Sequence, residues 1–240
     1  FYIYFSMFCF QRIGDLAWAA GDGRARGFLL GGTAGRTTLN GEGLQHEDGH
    51  SHIQAGLIPN CISYDPTYAH ELAVILQDGL RRMYIDQEDV FYYITLMNEN
   101  YPHPALPAAS EEGILNGAYL LRSGGEAEVK VQLMGSGTIL REVEAAADLL
   151  RNDFGIASDV WSITSFNLLN REGSETSRWN LLHPTETPRV PYLTAQFGDR
   201  TGPFVAATDY IRAYADQVRE FVPGSYTVLG TDGFGRSDRR

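Results

Sequence analysis

With 240 residues, 43% hydrophobic and 20% charged, the chain has room for one large or two small domains and the composition of a folded protein rather than a disordered one. Its 30 acidic against 19 basic residues give a net charge of −11, which repels phosphate backbones and argues against nucleic acid as a partner. The densest basic cluster, Arg236, Arg239 and Arg240, is too small to offset that charge. The longest apolar stretch, Phe1–Phe10, falls far short of the ~20 residues of a membrane-spanning helix. It also lacks the basic start and small-residue cleavage site of a secretory signal, so no membrane role is expected. Two cysteines, Cys9 and Cys61, exclude a disulfide scaffold and a cysteine-only zinc site, and a reducing cytoplasm is the expected setting. Lys130 is the only lysine.

Strand and helix signals alternate along the chain, the pattern of an α/β sheet. Phe1–Phe10 is apolar and aromatic, as a buried strand would be. Gln11–Ala20 places Ile13, Leu16, Ala17 and Ala20 on one helical face, and Gly21-Asp22-Gly23 reads as its C-cap. Gly27–Gly32 is a second strand closed by glycines. Thr33–His52, dense in Gly, Thr, Asn and Asp, reads as one long loop, and such loops in compact domains are usually functional. Asn60–Tyr64 is a short strand, after which Asp65-Pro66 opens a helix from about Thr67 to Met83. Val90–Leu96 is another buried strand. Asn98–Gly113, with Pro102, Pro104 and Pro107, breaks the pattern and marks a domain boundary. Beyond it, Lys130–Met134, Ile156–Thr164, Phe204–Thr208 and Tyr226–Leu229 read as strands, and Thr138–Asn152 and Asp209–Phe221 as helices. A strand signal at residue 1 and an end just past a glycine-rich turn lead to the expectation of a piece of a longer protein.

The segment richest in reactive side chains is Gly41–His52, GEGLQHEDGHSH, with three of the six histidines besides Glu42, Glu47 and Asp48. Three chemistries compete there. His46, Asp48, His50 and His52 offer the imidazole and carboxylate ligands of a zinc or iron site, as in a metal-dependent hydrolase. His46-Glu47-Asp48-Gly49-His50 has the HExxH spacing, but that motif needs a helix to bring both histidines to one face, and this glycine-rich stretch reads as a loop. The same histidines could act as acid, base and donor toward a small anionic or carbonyl substrate, because imidazole titrates near neutral pH. The third reading is a loop of inert surface histidines, which their density disfavours. His70 and His183, each alone, read as structural.

Other signatures are incomplete. Gly31–Thr38 lacks the GK[ST] ending of a phosphate loop, and Gly41-x-Gly43 and Gly135-x-Gly137 lack the third glycine of a dinucleotide fingerprint. No G-x-S-x-G elbow occurs, and the GDG triplet is not followed at the right distance by the Asn of a diphosphate–magnesium motif. Phe5, Phe8 and Gln11 at i, i+3, i+6 fit either core packing or a slot for a flat heterocycle.

Longer stretches carry a resemblance. FYIYFSMFCFQRIGDLAWAAGD, GGTAGRTTLNGEGLQHEDGHSHIQ, IPNCISYDPTYAHELAVI, HPTETPRVPY and GTDGFGRSD resemble the single-chain bacterial pyruvate dehydrogenases, over the whole chain. The resemblance implies two three-layer α/β domains of transketolase-like type, truncated at both ends. Residues 1–110 would be most of a thiamine pyrimidine-binding middle domain, and 111–240 an incomplete C-terminal domain. It implies oxidative decarboxylation of pyruvate with thiamine diphosphate, and acetyl transfer to the lipoyl domain of a dihydrolipoamide acetyltransferase. It further implies a homodimer whose Mg2+ and diphosphate ligands come from an N-terminal domain outside this chain, so the chain alone is expected to be inactive.

By the same resemblance, Phe8 stacks on the aminopyrimidine ring, and Phe5 stands where close relatives carry a tyrosine. His46 faces the substrate, and Asp48 and His52 fall in an E-D-G-x-x-H pattern beside it. His46, Asp48 and His52 are thus candidate catalytic residues, Phe5 and Phe8 candidate cofactor contacts, and no metal ligand is expected in the chain. A non-catalytic interaction module remains as a reading of another class, resting only on the incomplete site.

Overall fold

The structure, a computed structural model, describes residues 1–39 and 42–234. Asn40, Gly41 and the end of the GTDGFGRSD motif, with Arg236, Arg239 and Arg240, lie outside the described residues. β1 (Tyr2–Phe5), β2 (Phe28–Gly32), β3 (Cys61–Tyr64) and β4 (Phe91–Thr95) form an all-parallel sheet in the order β1-β2-β4-β3. Both faces of a parallel sheet need cover, because its crossovers lay helices across them. α1 (Phe8–Asp22) and α2 (Ser51–Gly56) cover one face, and α3 (Ala69–Leu80) covers the other. Side chains alternate between faces along a strand. Leu30, Ile62, Tyr92 and Ile94 therefore pack with Ile75 of α3, whereas Cys61, Phe91 and Tyr93 meet Cys9, Phe10, Ala17 and Ala55.

After α4 (Glu111–Asn116), a second sheet holds β5 (Tyr119–Arg122), β6 (Lys130–Gly135), β7 (Ala157–Ser162), β8 (Phe204–Ala207) and β9 (Tyr226–Leu229). Its order is β5-β7-β6-β8-β9, with β5 antiparallel to β7 and the other pairs parallel. α5 (Gly137–Phe154) closes one face through Leu140, Val143 and Ala147 on Leu133 and Val160. α6 (Phe166–Leu182), α7 (Tyr192–Phe197) and α8 (Arg212–Asp216) close the other, packing Phe166, Leu193, Phe197 and Tyr214 on Met134, Trp161 and Phe204. Each sheet is thus the middle of three layers. No helix among the described residues is long and apolar enough to cross a membrane.

Several local expectations change. The strand expected over Phe1–Phe10 stops at Phe5, and Phe8, Cys9 and Phe10 open α1. Ser6 N still reaches Gly32 O at 2.9 Å, but Cys9 N turns back to Ser6 O at 3.2 Å, which begins the helix. The Cys9 and Phe10 side chains are buried because α1 presses them onto the sheet, and a buried helix start cannot be told from a buried strand by hydrophobicity alone. α6 is unforeseen: Asn, Ser, Thr and Gly173 are weak helix formers, but Ser165 accepts from Leu168 N at 3.0 Å as its N-cap, and Phe166 and Leu169 bury its inner side. α4, α7 and β5 are likewise additional elements, and the helix expected over Asp209–Phe221 is only Arg212–Asp216 followed by a 3-10 turn at Arg219–Phe221.

Candidate active site

In parallel sheets, ligands gather beyond the carboxyl ends of the strands. Here β1 delivers Phe5, the turn into α1 delivers Phe8, and the long segment after β2 delivers His46. The three rings form a triangle: Phe5–Phe8 centroids are 5.8 Å apart, Phe5–His46 5.3 Å and Phe8–His46 5.2 Å, all tilted. Arg12 lies over the Phe8 ring, 5.1 Å from its centroid. Phe5 remains 42% exposed, and Phe8 is half-buried. His46 turns Nδ1 toward Glu42 Oε2 at 3.1 Å.

The other members of the cluster turn inward. Asp48 is buried and folds over the start of α2, accepting from His50 N at 3.1 Å, Ser51 N at 3.0 Å and Ser51 Oγ at 2.5 Å. Tyr93 OH donates to Ser51 Oγ at 2.9 Å, which ties this turn to β4. Glu47 is buried too, and neither of its carboxylate oxygens has a partner among the described residues. Burial pushes its carboxyl up to about 7, against the opposing pull of Arg36. His50 Nδ1 is also without a partner among the described residues.

His52 is not a surface histidine: it is fully buried, stacked on Tyr214 at 5.0 Å and met edge-on by Tyr210 at 5.0 Å. Its Nε2 lies 3.0 Å from Thr95 Oγ1, and that hydroxyl donates to Asp65 Oδ1 at 2.5 Å. His52 Nε2 and Asp65 Oδ1 thus meet on the one Thr95 hydroxyl, while His52 Nδ1 has no partner among the described residues. Burial holds the imidazole down at about 3 and so keeps it neutral. Asp65 also accepts from Ser136 Oγ at 2.8 Å and Tyr210 OH at 3.4 Å. Burial pushes its carboxyl up to about 7, against those bonds. Gly137, at φ +50°, presses so closely that a Cβ there would stand 2.5 Å from Asp65 Oδ2.

The structure therefore brings Phe5, Phe8 and His46 together at the mouth and sets Asp48 and His52 behind it. The metal arrangement does not form: among the described residues, no three His, Cys, Asp or Glu groups converge as ligands. The Asp48 oxygens are committed to α2, and His52 faces the core. Glu47 opens the E-D-G-x-x-H pattern, whereas Asp65 and Arg36 belong to the same region but gave no pattern of a site in sequence. A carboxylate directly after a strand, as in Tyr64-Asp65, is the one signal that could have marked the first of them.

A family model described as pyruvate dehydrogenase E1 component middle domain matches residues 1–104, and one described as transketolase-like TK C-terminal domain matches residues 117–240. The chain belongs to the pyruvate dehydrogenase E1 component family. It is 65% identical to the pyruvate dehydrogenase E1 component of Pseudomonas aeruginosa and 64% identical to those of Cupriavidus necator and Escherichia coli. Each match takes in 100% of this chain and 27% of the relative, so the chain spans about a quarter of the length of these curated relatives. Among solved structures it is similar to transketolase from Campylobacter jejuni, with a TM-score of 0.71 at 18% identity over 98% of this chain and 31% of that one. It is also similar to transketolase from Leishmania mexicana, with a TM-score of 0.70 at 16% identity over 98% of this chain and 30% of that one. The fold is transketolase-like.

Proposed function

We propose that the protein carrying this chain decarboxylates pyruvate oxidatively with thiamine diphosphate and passes the acetyl unit to lipoyl groups of a dihydrolipoamide acetyltransferase. In this reading residues 1–110 are most of the pyrimidine-binding domain and 111–240 an incomplete C-terminal domain. The carrying observation is the Phe5–Phe8–His46 triangle at the strand ends of a chain 59–65% identical to pyruvate dehydrogenase E1 components. The residues present fit one side of the cofactor. Phe5 and Phe8 form a partly exposed aromatic wall, and the unpartnered Glu47 and His50 atoms leave the polar side of the site incomplete among the described residues. The diphosphate and Mg2+ would be held by a part of the protein outside this chain, at a homodimer interface. The buried free thiols of Cys9 and Cys61 support a cytoplasmic setting.

When bound, thiamine diphosphate supplies the electron sink that loss of carbon dioxide from a 2-oxo acid requires. Phe5 and Phe8 orient a flat ring by offset contact and exclude water from one side of it. His46, whose Nδ1 makes no hydrogen bond among the described residues, offers its imidazole to donate to, or accept a proton from, the reactant. Asp48 and His52 sit beside it and fix the turn that carries it.

The test is calorimetric titration of thiamine diphosphate with Mg2+ into the chain, alone and with the remaining N-terminal portion of the Escherichia coli relative supplied. We expect no binding alone and binding with the added portion. Tight binding by the chain alone, or none in either case, overturns the proposal.

A further inference from the structure

The loop that carries His46 is held from the second sheet. Arg36, at its start, is 2% exposed, and its guanidinium reaches past β9: Nη1 donates to Thr231 O at 2.7 Å and Nη2 to Gly233 O at 3.2 Å. The guanidinium lies against Gly49, where any Cβ would run into it. Next to Arg36, Thr37 donates both N and Oγ1 to Asp209 at 2.9 Å. At the far end of the loop, Ile211 N donates to Gly49 O at 3.1 Å. Both ends of the loop are thus pinned to the stretch that runs from β8 to just past β9. Burial lowers the hold of Arg36 on its proton, while Asp209, Asp48 and Glu47 around it favour the charged form.

We infer that Arg36 is the positioning residue of the His46 loop, coupling the 209–233 edge of the second sheet to the orientation of the imidazole. This deepens the proposed function and rests on His46 facing the reactants. Arg36 directs Nη1 and Nη2 to two carbonyls beyond β9 and lays its guanidinium on Gly49, so it acts through the backbone of the loop. A planar fork that spans two carbonyls and lies flat on a glycine is a task a lysine ammonium does poorly.

The test is amide hydrogen exchange on the chain as it stands, for the parent, Arg36→Ala and Arg36→Lys. In Arg36→Ala, the His46, His50 and Ser51 amides should exchange about tenfold faster, the factor that goes with one lost bond to a charged group. The β4 amides Tyr92–Ile94 should keep their rates, because they lie in the sheet and not in the loop. Guanidinium at a non-denaturing concentration should restore protection in Arg36→Ala, and equal urea should not. Arg36→Lys should fall between the two, and it carries the test by itself if Arg36→Ala does not fold. Unchanged loop exchange, a uniform loss that includes β4, or no guanidinium rescue overturns the inference. None of these arms needs cofactor. A second arm uses the protein completed with the N-terminal portion: Arg36→Lys should lower kcat and leave KM for pyruvate in place. If the completed parent binds no thiamine diphosphate, the proposed function fails while the exchange result still decides on Arg36.

Discussion

Glu71 offers a quantitative test of how the two sheets are joined. It is fully buried on α3 and receives four hydrogen bonds. Oε2 accepts from Thr67 N at 2.6 Å and Tyr68 N at 3.0 Å, and Oε1 from Tyr119 OH at 2.7 Å on β5 and Ser162 Oγ at 2.6 Å on β7. The first pair caps α3, and the second pair belongs to the other sheet. The donors differ in freedom. Backbone N–H groups cannot turn, whereas hydroxyls can rotate to accept. In Glu71→Gln, the amide oxygen can face the two backbone donors while its NH2 faces the hydroxyls, which turn to receive it. That variant should cost only about 1 kcal/mol. In Glu71→Ala, two buried backbone N–H groups are stranded at roughly 1–3 kcal/mol each, giving a total of roughly 2–6 kcal/mol. That is a large share of the roughly 5–15 kcal/mol expected of a folded domain. Urea unfolding of the purified chain, followed by tryptophan fluorescence and by circular dichroism, measures both. Glu71→Ala should also separate the two probes, as the sheets lose their shared carboxylate. Equal costs for Ala and Gln would refute the reasoning, since they would mean that fixed donors and rotatable donors count alike.

Three further outcomes are expected. Gly49→Ala should push the guanidinium of Arg36 off its carbonyls and cost roughly 1–3 kcal/mol by overpacking, read as a lower urea midpoint. Phe8→Ala, at a half-buried ring, should leave the midpoint of the chain nearly unchanged yet weaken thiamine diphosphate binding by the completed protein about tenfold, the worth of one stacked aromatic contact. The two buried titrating groups oppose each other with pH. His52, held down at about 3, stays unprotonated folded but binds a proton unfolded below about 6.5, so its contribution is lost as pH falls from about 6.5 toward 3. Asp65, raised to about 7, keeps its proton folded where the unfolded carboxyl has released it, so its contribution is full at low pH and lost as pH rises from about 4 to 7. Their slopes, each about 1.4 kcal/mol per pH unit, cancel between about pH 4 and 6.5. Asp65→Asn should therefore make stability climb with pH over that window, and urea midpoints measured at intervals of half a unit or so check it; a parallel profile refutes the pairing.

How much of this was legible depends on what each residue meets. β2, β3, β4, β6 and β9 announced themselves because short apolar runs bounded by glycine, proline or a polar turn have few other fates. α6 did not, because its stability comes from Phe166 and Leu169 against the second core rather than from its own weak helix formers. The Phe5–Phe8 spacing was ambiguous for a physical reason: one ring ends a strand and the other starts a helix, so no single periodicity relates them. The stretch GEGLQHEDGHSH marked a concentration of reactive side chains but not how they divide between surface and core. His46 faces out and His52 faces in because α2 begins at Ser51 and rolls the next side chain onto Tyr210 and Tyr214. Tyr210 and Tyr214 stand over 150 residues away, and no local reading of the loop contains them.

The same long-range contacts explain why a site built on the first sheet depends on the second. His52 bonds its backbone oxygen to Asn167 Nδ2 at 2.6 Å, and Asn167 is in turn held by Gln217 Nε2 at 2.9 Å. Asp65 joins the end of β3 to Ser136 at the start of α5, and Arg36 joins the loop to the carbonyls beyond β9. Each link uses a buried polar group whose partner lies across the junction, so sliding the units while they stay in contact strands that group at a cost of roughly 1–3 kcal/mol. An apolar seam of equal area would hold the units together but would let them slide, because burial is non-directional. Fixed donors and acceptors do not slide. In the proposed reading His46 needs an orientation rather than mere attachment, which the polar junction would supply through contacts that never reach the mouth of the site.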